Sequence, residues 1–488
     1  MKCLNDLEPQ KVFEFFEYIS SVPRGSGNTS AVADLCVKFA QDRGLTCFRD
    51  AVNNVIIYKA ATPGYENEPT IILQGHLDMV CAKNNECTKD MSKEPIDLAF
   101  DDKYVFAKGT TLGADDGIAI AYAMAILDSN DIKHPPIEAV FTIDEETGMD
   151  GASFIDASKI SGRILLNIDS EEEGIFTCGC AGGCRVISEI PIKREAPGNE
   201  DEIIKIVLTG LKGGHSGAEI HRQPASANYL LGRVLYELYH ETPFRINSFF
   251  GGKFDNVISD HTEAVISVEK GKSDGISSFI KNYNDDLKIE YGSVNPDIQL
   301  TYSKSGEDIP EDFKNPLSLK DTEKILKTIY LIRQGVIEMS MDLKGMVQTS
   351  QNLGIIKTDS ETFSFDILVR SSIEGQKKTA INRIVELVKL MGGSTSFTGN
   401  YPGWRFDPNS KLREKCIRIY KKQYGKDPIV LSIHAGLECG IFADKLPGLD
   451  VVSIGPDILD IHTPSERLDI ASVKRVWEFL ISVLEERH

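Results

Sequence analysis

The stretch that decides the fold runs from Leu112 to Gly148, LGADDGIAIAYAMAILDSNDIKHPPIEAVFTIDEETG. It opens on glycines around a pair of acids and continues as an apolar helix from Asp115 to Leu127. It then returns as the β-rich run Ile137–Ile143, which ends in three acids. Ile118, Tyr122, Ala125 and Ile126 recur at helical spacing and share one face. Upstream, Phe13, Phe16 and Ile19, then Val32, Leu35, Cys36 and Phe39, keep the same period. Val55–Tyr58, Thr70–Leu73 and Arg163–Ile168 are further short β-rich runs. This alternation predicts an α/β layer with helices packed on a mixed sheet.

Working outward, the character changes near Cys184. Paired strands and longer helices follow, such as Tyr229–Tyr239 and Thr379–Met391, with polar loops at Lys193–Glu202 and Gly271–Asp274. After Gly392–Asn400 the chain resumes helix–strand–helix. It ends in an amphipathic helix marked by Ile470, Val473, Val476, Trp477, Leu480, Ile481 and Leu484. The expected organisation is one α/β domain split into 1–183 and 397–488, interrupted by an inserted α+β domain over 184–396.

Composition narrows the function classes. The 488 residues carry 54 basic and 73 acidic side chains, a formal net charge of −19. An acidic surface of this size argues against general nucleic-acid binding, which needs positive charge to neutralise phosphates. The apolar stretch Gly117–Leu127 is far shorter than the ~20 residues a spanning helix requires. The first residues, Met1–Asp6, meet an acid at once and give no apolar leader core. Ten cysteines at 3, 36, 47, 81, 87, 178, 180, 184, 416 and 439 do not form a small disulfide framework. Unpaired thiols fit a cytoplasmic location. Cys178, Cys180 and Cys184 lack the spacing of common zinc sites and read as buried structural thiols.

Five places carry candidate chemistry. In Gln74-Gly75-His76-Leu77-Asp78, after the run Thr70–Leu73, extended backbone would put His76 and Asp78 on one face. A carboxylate beside an imidazole fixes its tautomer, as a metal-bound His needs. A strand-end His bonded to an Asp has the same spacing, so both readings stand. Asp115 and Asp116 open the apolar helix, where an acid also serves as an ordinary cap. Adjacent carboxylates nonetheless repel unless solvated or near a cation. The glycines around them resemble a phosphate loop, but the Lys-Ser/Thr of that motif is absent. Asp144-Glu145-Glu146 ends a strand, at the edge where ligands gather in open α/β folds, or is a solvated turn. Asp169 follows Arg163–Ile168, with Glu171–Glu173 beyond it expected to face solvent. His462 lies in a loop after Val451–Ile454. Together they offer two imidazoles and several carboxylates at one sheet edge, an N/O donor set suited to Zn²⁺. That is too many for one tetrahedral ion, but it fits two ions sharing an acid in a metal-assisted hydrolase.

At these residues the sequence resembles the M20 metallopeptidase family, and within it the aminoacyl-histidine dipeptidase (cytosol non-specific dipeptidase, PepD-like) branch. The resemblance rests on Gly75-His76-Leu77-Asp78, Leu112–Gly117, Glu145-Glu146-Thr147-Gly148, Gly179-Cys180-Ala181-Gly182-Gly183 and Ile433–Gly440. It implies two zinc ions, with Mn²⁺ or Co²⁺ as substitutes. His76, Asp115 and Asp169 would hold one, and Asp115, Glu146 and His462 the other. Asp78 would orient His76, Glu145 would be the general base, and Cys180 would pack rather than ligate. The inserted region would be the family's lid. There His215, in Lys212–Gly217, would polarise the scissile carbonyl, while Asn256, Arg370 and Gly436 would contact the substrate. Read without the family, His215 is a loop histidine in a glycine-rich turn.

One departure stands out, since Pro224-Ala225-Ser226-Ala227 occupies the place of the branch's usual Arg-x-Asn-Ala stretch. It bears on lid packing or on the choice of dipeptide. The implied activity is hydrolysis of dipeptides with a free C-terminus, Xaa-His and β-Ala-His among them, by a monomer or homodimer. An N-acyl amino acid amidohydrolase or an aminopeptidase using the same metals is the nearest alternative. A non-catalytic metal- or peptide-binding protein on the same scaffold is the more distant one.

Overall fold

The computed structural model describes residues 4–304 and 310–487, so Cys3 lies outside the described residues. The chain divides into two compact units. One comprises Met1–Cys180, Trp404–Ser432 and Leu437–His488, the other Ala181–Gly403 and Ile433–Gly436.

The first unit is built on an eight-stranded mixed sheet. Its centre is parallel, with Ile137–Thr142, Ile71–His76, Ile164–Asn167 and Asp450–Ser453 side by side. Antiparallel strands Val55–Lys59 and Thr46–Arg49 extend one edge; antiparallel Ile175–Cys180, followed by Ile429–Ile433, extends the other. Every residue of Ile71–His76 and of Ile137–Thr142 is buried, as expected where both faces of a parallel sheet are covered.

The helix Ala114–Asp128 packs against the strand Ile71–His76 and the helix Gln10–Ile19. It is buried on every side from Ala114 to Leu127, so the single apolar face expected from sequence is too narrow a description. Its far end is closed by Lys59, whose Nζ donates to the carbonyls of Ile126 (2.9 Å) and Leu127 (3.0 Å), a cation at the negative end of the helix. The terminal helix Ile470–Glu485 locks on through Tyr122, which donates to the Val473 carbonyl at 2.9 Å and stacks on Trp477. Because the central strands run parallel, their carboxyl ends share one edge. That edge receives His76, the acids after Thr142, Asp169 and the chain leading to His462.

The second unit is an antiparallel nine-stranded sheet with helices packed on it. The order begins Gln299–Lys304, Glu202–Thr209, Thr262–Val268 and Arg245–Gly251. It continues through Val347–Thr358, Thr362–Ser371, Gly182–Pro191 and Ser394–Tyr401, with Gly335–Met339 paired on Val347–Thr358. Helices Ala227–Glu241, Leu319–Leu331 and Glu374–Leu390 close over a core that includes Leu230, Val234, Ile325, Phe363, Phe365 and Ile384. The segment Gly392–Asn400, given no element from sequence, is mostly strand. Apart from Phe397 its side chains are small or polar, and most are exposed, so no apolar alternation marks it, and backbone pairing with Gly182–Pro191 makes the strand.

The departing stretch Pro224–Ala227 leads into the helix Ala227–Glu241 and packs in this core. Ala225 and Ala227 are buried, and the Ser226 hydroxyl meets that of Ser259 at 3.1 Å. None of the described cysteines is in a disulfide. Among the described residues no helix is long and apolar enough to cross a membrane.

At Gly75 the sheet lies tight against its buried helix. A Cβ there would lie 2.5 Å from Ala119 Cβ and 2.5 Å from Asp116 Oδ2. Gly75→Ala is expected to destabilise the protein by about 1–3 kcal/mol, the usual cost of overpacking. Urea unfolding measures it, and an unchanged midpoint would contradict this packing.

Candidate metal centre

All five sequence-predicted ligands come together at the carboxyl edge of the first unit's sheet. His76 ends its strand, and its Nδ1–H donates to the Asp78 backbone carbonyl at 3.1 Å, with Asp78 Oδ1 at 3.4 Å. In the neutral tautomer this bond fixes, Nε2 presents its lone pair to Asp115 Oδ1 at 3.0 Å and Asp169 Oδ1 at 3.5 Å. The other oxygen of Asp115 lies 3.0 Å from His462 Nε2, which is also 3.0 Å from Glu146 Oε1. One carboxylate thus reaches both imidazoles.

Among the described residues, three clusters have donor atoms close enough to share an ion: Asp115, Glu146 and His462; His76, Asp116 and Asp169; and His76, Glu145 and Glu146. The first is the set implied by the family resemblance. In the second Asp116 joins His76 and Asp169, with Asp115 beside the same imidazole. No described cluster includes a cysteine. Burial instead pushes the Cys178 thiol up to about 12 and Cys180 up to about 11, as packed, protonated thiols should behave.

The turns around these residues are held by groups the sequence does not advertise. Asp115 is not spent on capping, because its backbone and that of Asp116 are non-helical and its side chain faces the two histidines. Glu466 caps instead. Its buried carboxylate accepts from the amides of Leu112 (2.8 Å), Gly113 (3.0 Å), Ala114 (2.8 Å) and Asp115 (3.4 Å). Arg24, also buried, balances that charge and donates to the carbonyls of Leu77 (3.0 Å), Asp78 (3.1 Å) and Gly113. Asp78 does more than orient His76. It accepts from Ser26 Oγ (2.8 Å) and from the amides of Glu145 (3.1 Å) and Glu146 (3.3 Å), which sets the acidic turn. Asp144 and His462 adopt φ of +54° and +62°, left-handed values that Asp and His tolerate better than most residues.

Beneath the edge lies a second buried polar row. Asn167 donates to Gln74 Oε1 at 2.7 Å, while Gln74 (2.7 Å) and Thr142 (2.6 Å) both donate to Glu438 Oε2. These residues tie three adjacent strand ends together. The run after Asp169 also differs from expectation. Only Glu172 is exposed; Glu171 is half-buried, and Glu173 is clamped by the Arg475 guanidinium.

Electrostatics follow from packing so many acids. Burial raises Glu145 well above the usual carboxylate range; His76 opposes this, and Asp169, Glu438 and Glu146 reinforce it. Burial opposes the charge of His76, but Asp115, Asp169 and Asp78 outweigh it and hold the imidazole well above its ordinary value. Asp115 and Glu146 push His462 up to about 10. Burial likewise lifts Glu171 to about 8 and Glu438 to about 7.

The remaining candidates belong to the second unit. Gly214-His215 pairs with Val257-Ile258, and the amides of Gly217 (3.3 Å) and Ala218 (3.0 Å) donate to His215 Nδ1. That leaves the proton on Nε2, and burial with Arg370 nearby lowers the pKa, so a neutral Nε2–H donor results. Arg370 is buried, and one nitrogen donates to the Tyr401 hydroxyl at 3.0 Å while its Nε finds no partner. Asn256 is exposed on the turn beside Val257. Gly436 lies in the four-residue return segment, with His434, which shares a 2.7 Å bond with Ser350 and feels the Arg370 charge. His434 falls within the motif Ile433–Gly440, where nothing in the sequence alone marks it out.

The profile of the peptidase family M20/M25/M40 matches residues 72–486. The chain is 38% identical to the cytosol non-specific dipeptidase of Escherichia coli (strain K12) over 486 residues, 100% of this chain and 99% of the relative. It is similar to the solved aminoacylhistidine dipeptidase of Vibrio alginolyticus, with 36% identity, a TM-score of 0.95, and 99% and 98% of the two chains covered. Aminopeptidase PepT from Bacillus cereus shares the fold, at 17% identity, a TM-score of 0.55 and 98% coverage of both chains.

Filling the cluster with cations requires neutral imidazoles, while Asp115 and Glu146 hold a proton on His462 to about pH 10. Divalent cation binding near pH 7 is therefore expected to release protons. Its affinity should weaken about tenfold per unit of acidification for each proton displaced. Calorimetry in buffers of different ionisation enthalpy, from pH 6 to 8, checks this. A pH-independent affinity would contradict it.

Proposed function

The chain belongs to peptidase family M20/M25/M40, and on that footing we propose that it hydrolyses dipeptides with a free C-terminus at a two-metal centre. The observation that carries the reading is Asp115, whose two oxygens each stand 3.0 Å from a different imidazole. The donor chemistry fits, because imidazole nitrogen and carboxylate oxygen are the ligands Zn²⁺ takes. The buried charge fits as well: Asp78, Asp115, Asp116, Glu145, Glu146 and Asp169 crowd around two histidines, an excess of negative charge that cations would offset.

In this reading His76, Asp115 and Asp169 hold one ion, and Asp115, Glu146 and His462 the other. When bound, such a pair acidifies a water and polarises the peptide carbonyl. Glu145 takes the proton from the attacking water and passes it to the leaving amine. Burial raises its proton affinity above that of an ordinary carboxylate, which favours taking up the water's proton. His215 donates its Nε2–H to the carbonyl oxygen as negative charge develops there. Arg370, with unspent donors, pairs with the substrate carboxylate, and Asn256 and Gly436 complete that recognition. Asp78 keeps His76 in its ligating tautomer. The first unit is thus the catalytic domain and the second the lid. Zinc is the proposed native metal, with Mn²⁺ or Co²⁺ as substitutes, and the cytoplasm the proposed location.

The test pairs a dipeptide panel, including β-Ala-His and Xaa-His, with N-acyl amino acids, before and after chelation. Dipeptide cleavage that falls on chelation and returns with Zn²⁺ is expected. Glu145→Gln should lower kcat by about 10²-fold or more while metal content stays unchanged. Near-normal turnover in that variant would overturn the role given to Glu145. Preference for acyl amino acids would overturn the dipeptidase reading.

A further inference from the structure

Arg370 is a buried guanidinium that forms no ion pair among the described residues, and its one side-chain partner there is the Tyr401 hydroxyl, at 3.0 Å. An arginine has much rotamer freedom to lose, so it holds one geometry only where something fixes it. The strand register provides that fixture in the second unit. Gly183 pairs with Arg370 on one side and with Tyr401 on the other. The three residues therefore form one row across three strands, with their side chains on a common face. Gly183, in the middle, leaves the row open. A Cβ there would lie 2.6 Å from the Tyr401 hydroxyl oxygen and 2.7 Å from Cε1 and Cζ, so the phenol crosses over the glycine to reach Arg370.

Two further features aim Tyr401 at that target. The register slips between Thr398, opposite Arg185, and Tyr401, opposite Gly183, so Ser394–Tyr401 carries one extra residue there. Gly399, at φ +56°, lies inside the slip. Without the extra residue Asn400 would stand opposite Gly183; a bulge of this kind re-aims one side chain. Lys377, only 2% exposed, donates from Nζ to the Tyr401 carbonyl at 2.7 Å and pairs with Glu374 at 2.9 Å. A buried ammonium is costly unless partnered, and here its partner is the backbone of this one residue. On the other flank of Arg370, Ser350 is its cross-strand neighbour, but that hydroxyl is engaged with His434 Nε2 at 2.7 Å.

We propose that Tyr401 is a positioning residue for substrate binding: its hydroxyl, passing over Gly183, holds the Arg370 guanidinium in the orientation that meets the C-terminal carboxylate of a dipeptide. The inference rests on the reading of Arg370 as the carboxylate's partner. Tyr401 accepts from Nη1, while Nε–H is without a partner. The held nitrogen is on the far side of the fork from the Nε–Nη2 edge, whose two parallel N–H groups suit a carboxylate in bidentate pairing. Fixing one edge of a planar group fixes the other, so the phenol sets the angle at which substrate is met without touching it.

The test is a double-mutant cycle of Tyr401→Phe and Arg370→Met in the full, Zn²⁺-loaded chain, with kcat and KM measured for Leu-Gly. Tyr401→Phe removes one oxygen and keeps the ring. It is expected to lower kcat/KM about 10-fold, mainly through KM, the scale of a hydrogen bond to a charged group. Arg370→Met alone should lower it further. Adding Tyr401→Phe to Arg370→Met should then change kcat/KM by less than about twofold, because the group that the phenol orients is gone. A loss under about threefold in Tyr401→Phe would overturn the positioning role and leave the dipeptidase reading intact. So would an equal loss in both backgrounds, which is what a general packing defect gives. An unchanged KM in Arg370→Met, or a wild type that does not cleave Leu-Gly, would overturn the underlying reading and this role with it.

Discussion

The first unit is organised around a single carboxylate shared between two imidazoles. Asp115 cannot take that position alone, because the amides that open its helix and the acids beside it must be satisfied at the same time. Glu466 accepts the amides from Leu112 to Asp115, Arg24 balances Glu466 and draws in the carbonyls after His76, and Asp78 fixes the turn that carries Glu145 and Glu146. Each of these groups would be costly to bury on its own. Together they satisfy one another, and the arrangement makes sense as a frame for cations.

This explains why the parallel sheet matters. Strand ends at Gln74, Thr142 and Asn167 are held at a common level by the buried bonds that converge on Gln74 and Glu438. The residues just beyond them then emerge at one edge, close enough for nitrogen and oxygen donors to face one another. The second unit contributes a different kind of chemistry. His215 is kept neutral with its proton on Nε2, and Arg370 is buried with an Nε–H still unused. One is a donor suited to a carbonyl oxygen, the other to a carboxylate.

Much of the first unit was legible in the sequence because its signals are local. His76, Glu146 and Asp169 each follow an apolar run, and Asp115 opens an unmistakable helix, so periodicity alone places them at element ends. The frame around them was not legible. The bonds from Glu466 span 351 to 354 residues, and nothing near Glu466 distinguishes it from a loop acid. Glu438 and Gln74 are separated by 364 residues. Apparent surface features misled for related reasons. Glu171–Glu173 looks like a solvated run until Arg475, 302 residues away, clamps Glu173, and Ser394–Tyr401 has no apolar alternation because its pairing is all backbone.

The two-metal centre depends on Asp115 serving two ions at once. Metal stoichiometry and affinity per chain, measured on the wild type, Asp115→Ala and His462→Ala, test that directly. The expected result is two divalent cations per wild-type chain, one retained in His462→Ala, and both weakened severely in Asp115→Ala, with all three proteins folded. Two cations bound to Asp115→Ala as tightly as to the wild type would contradict it.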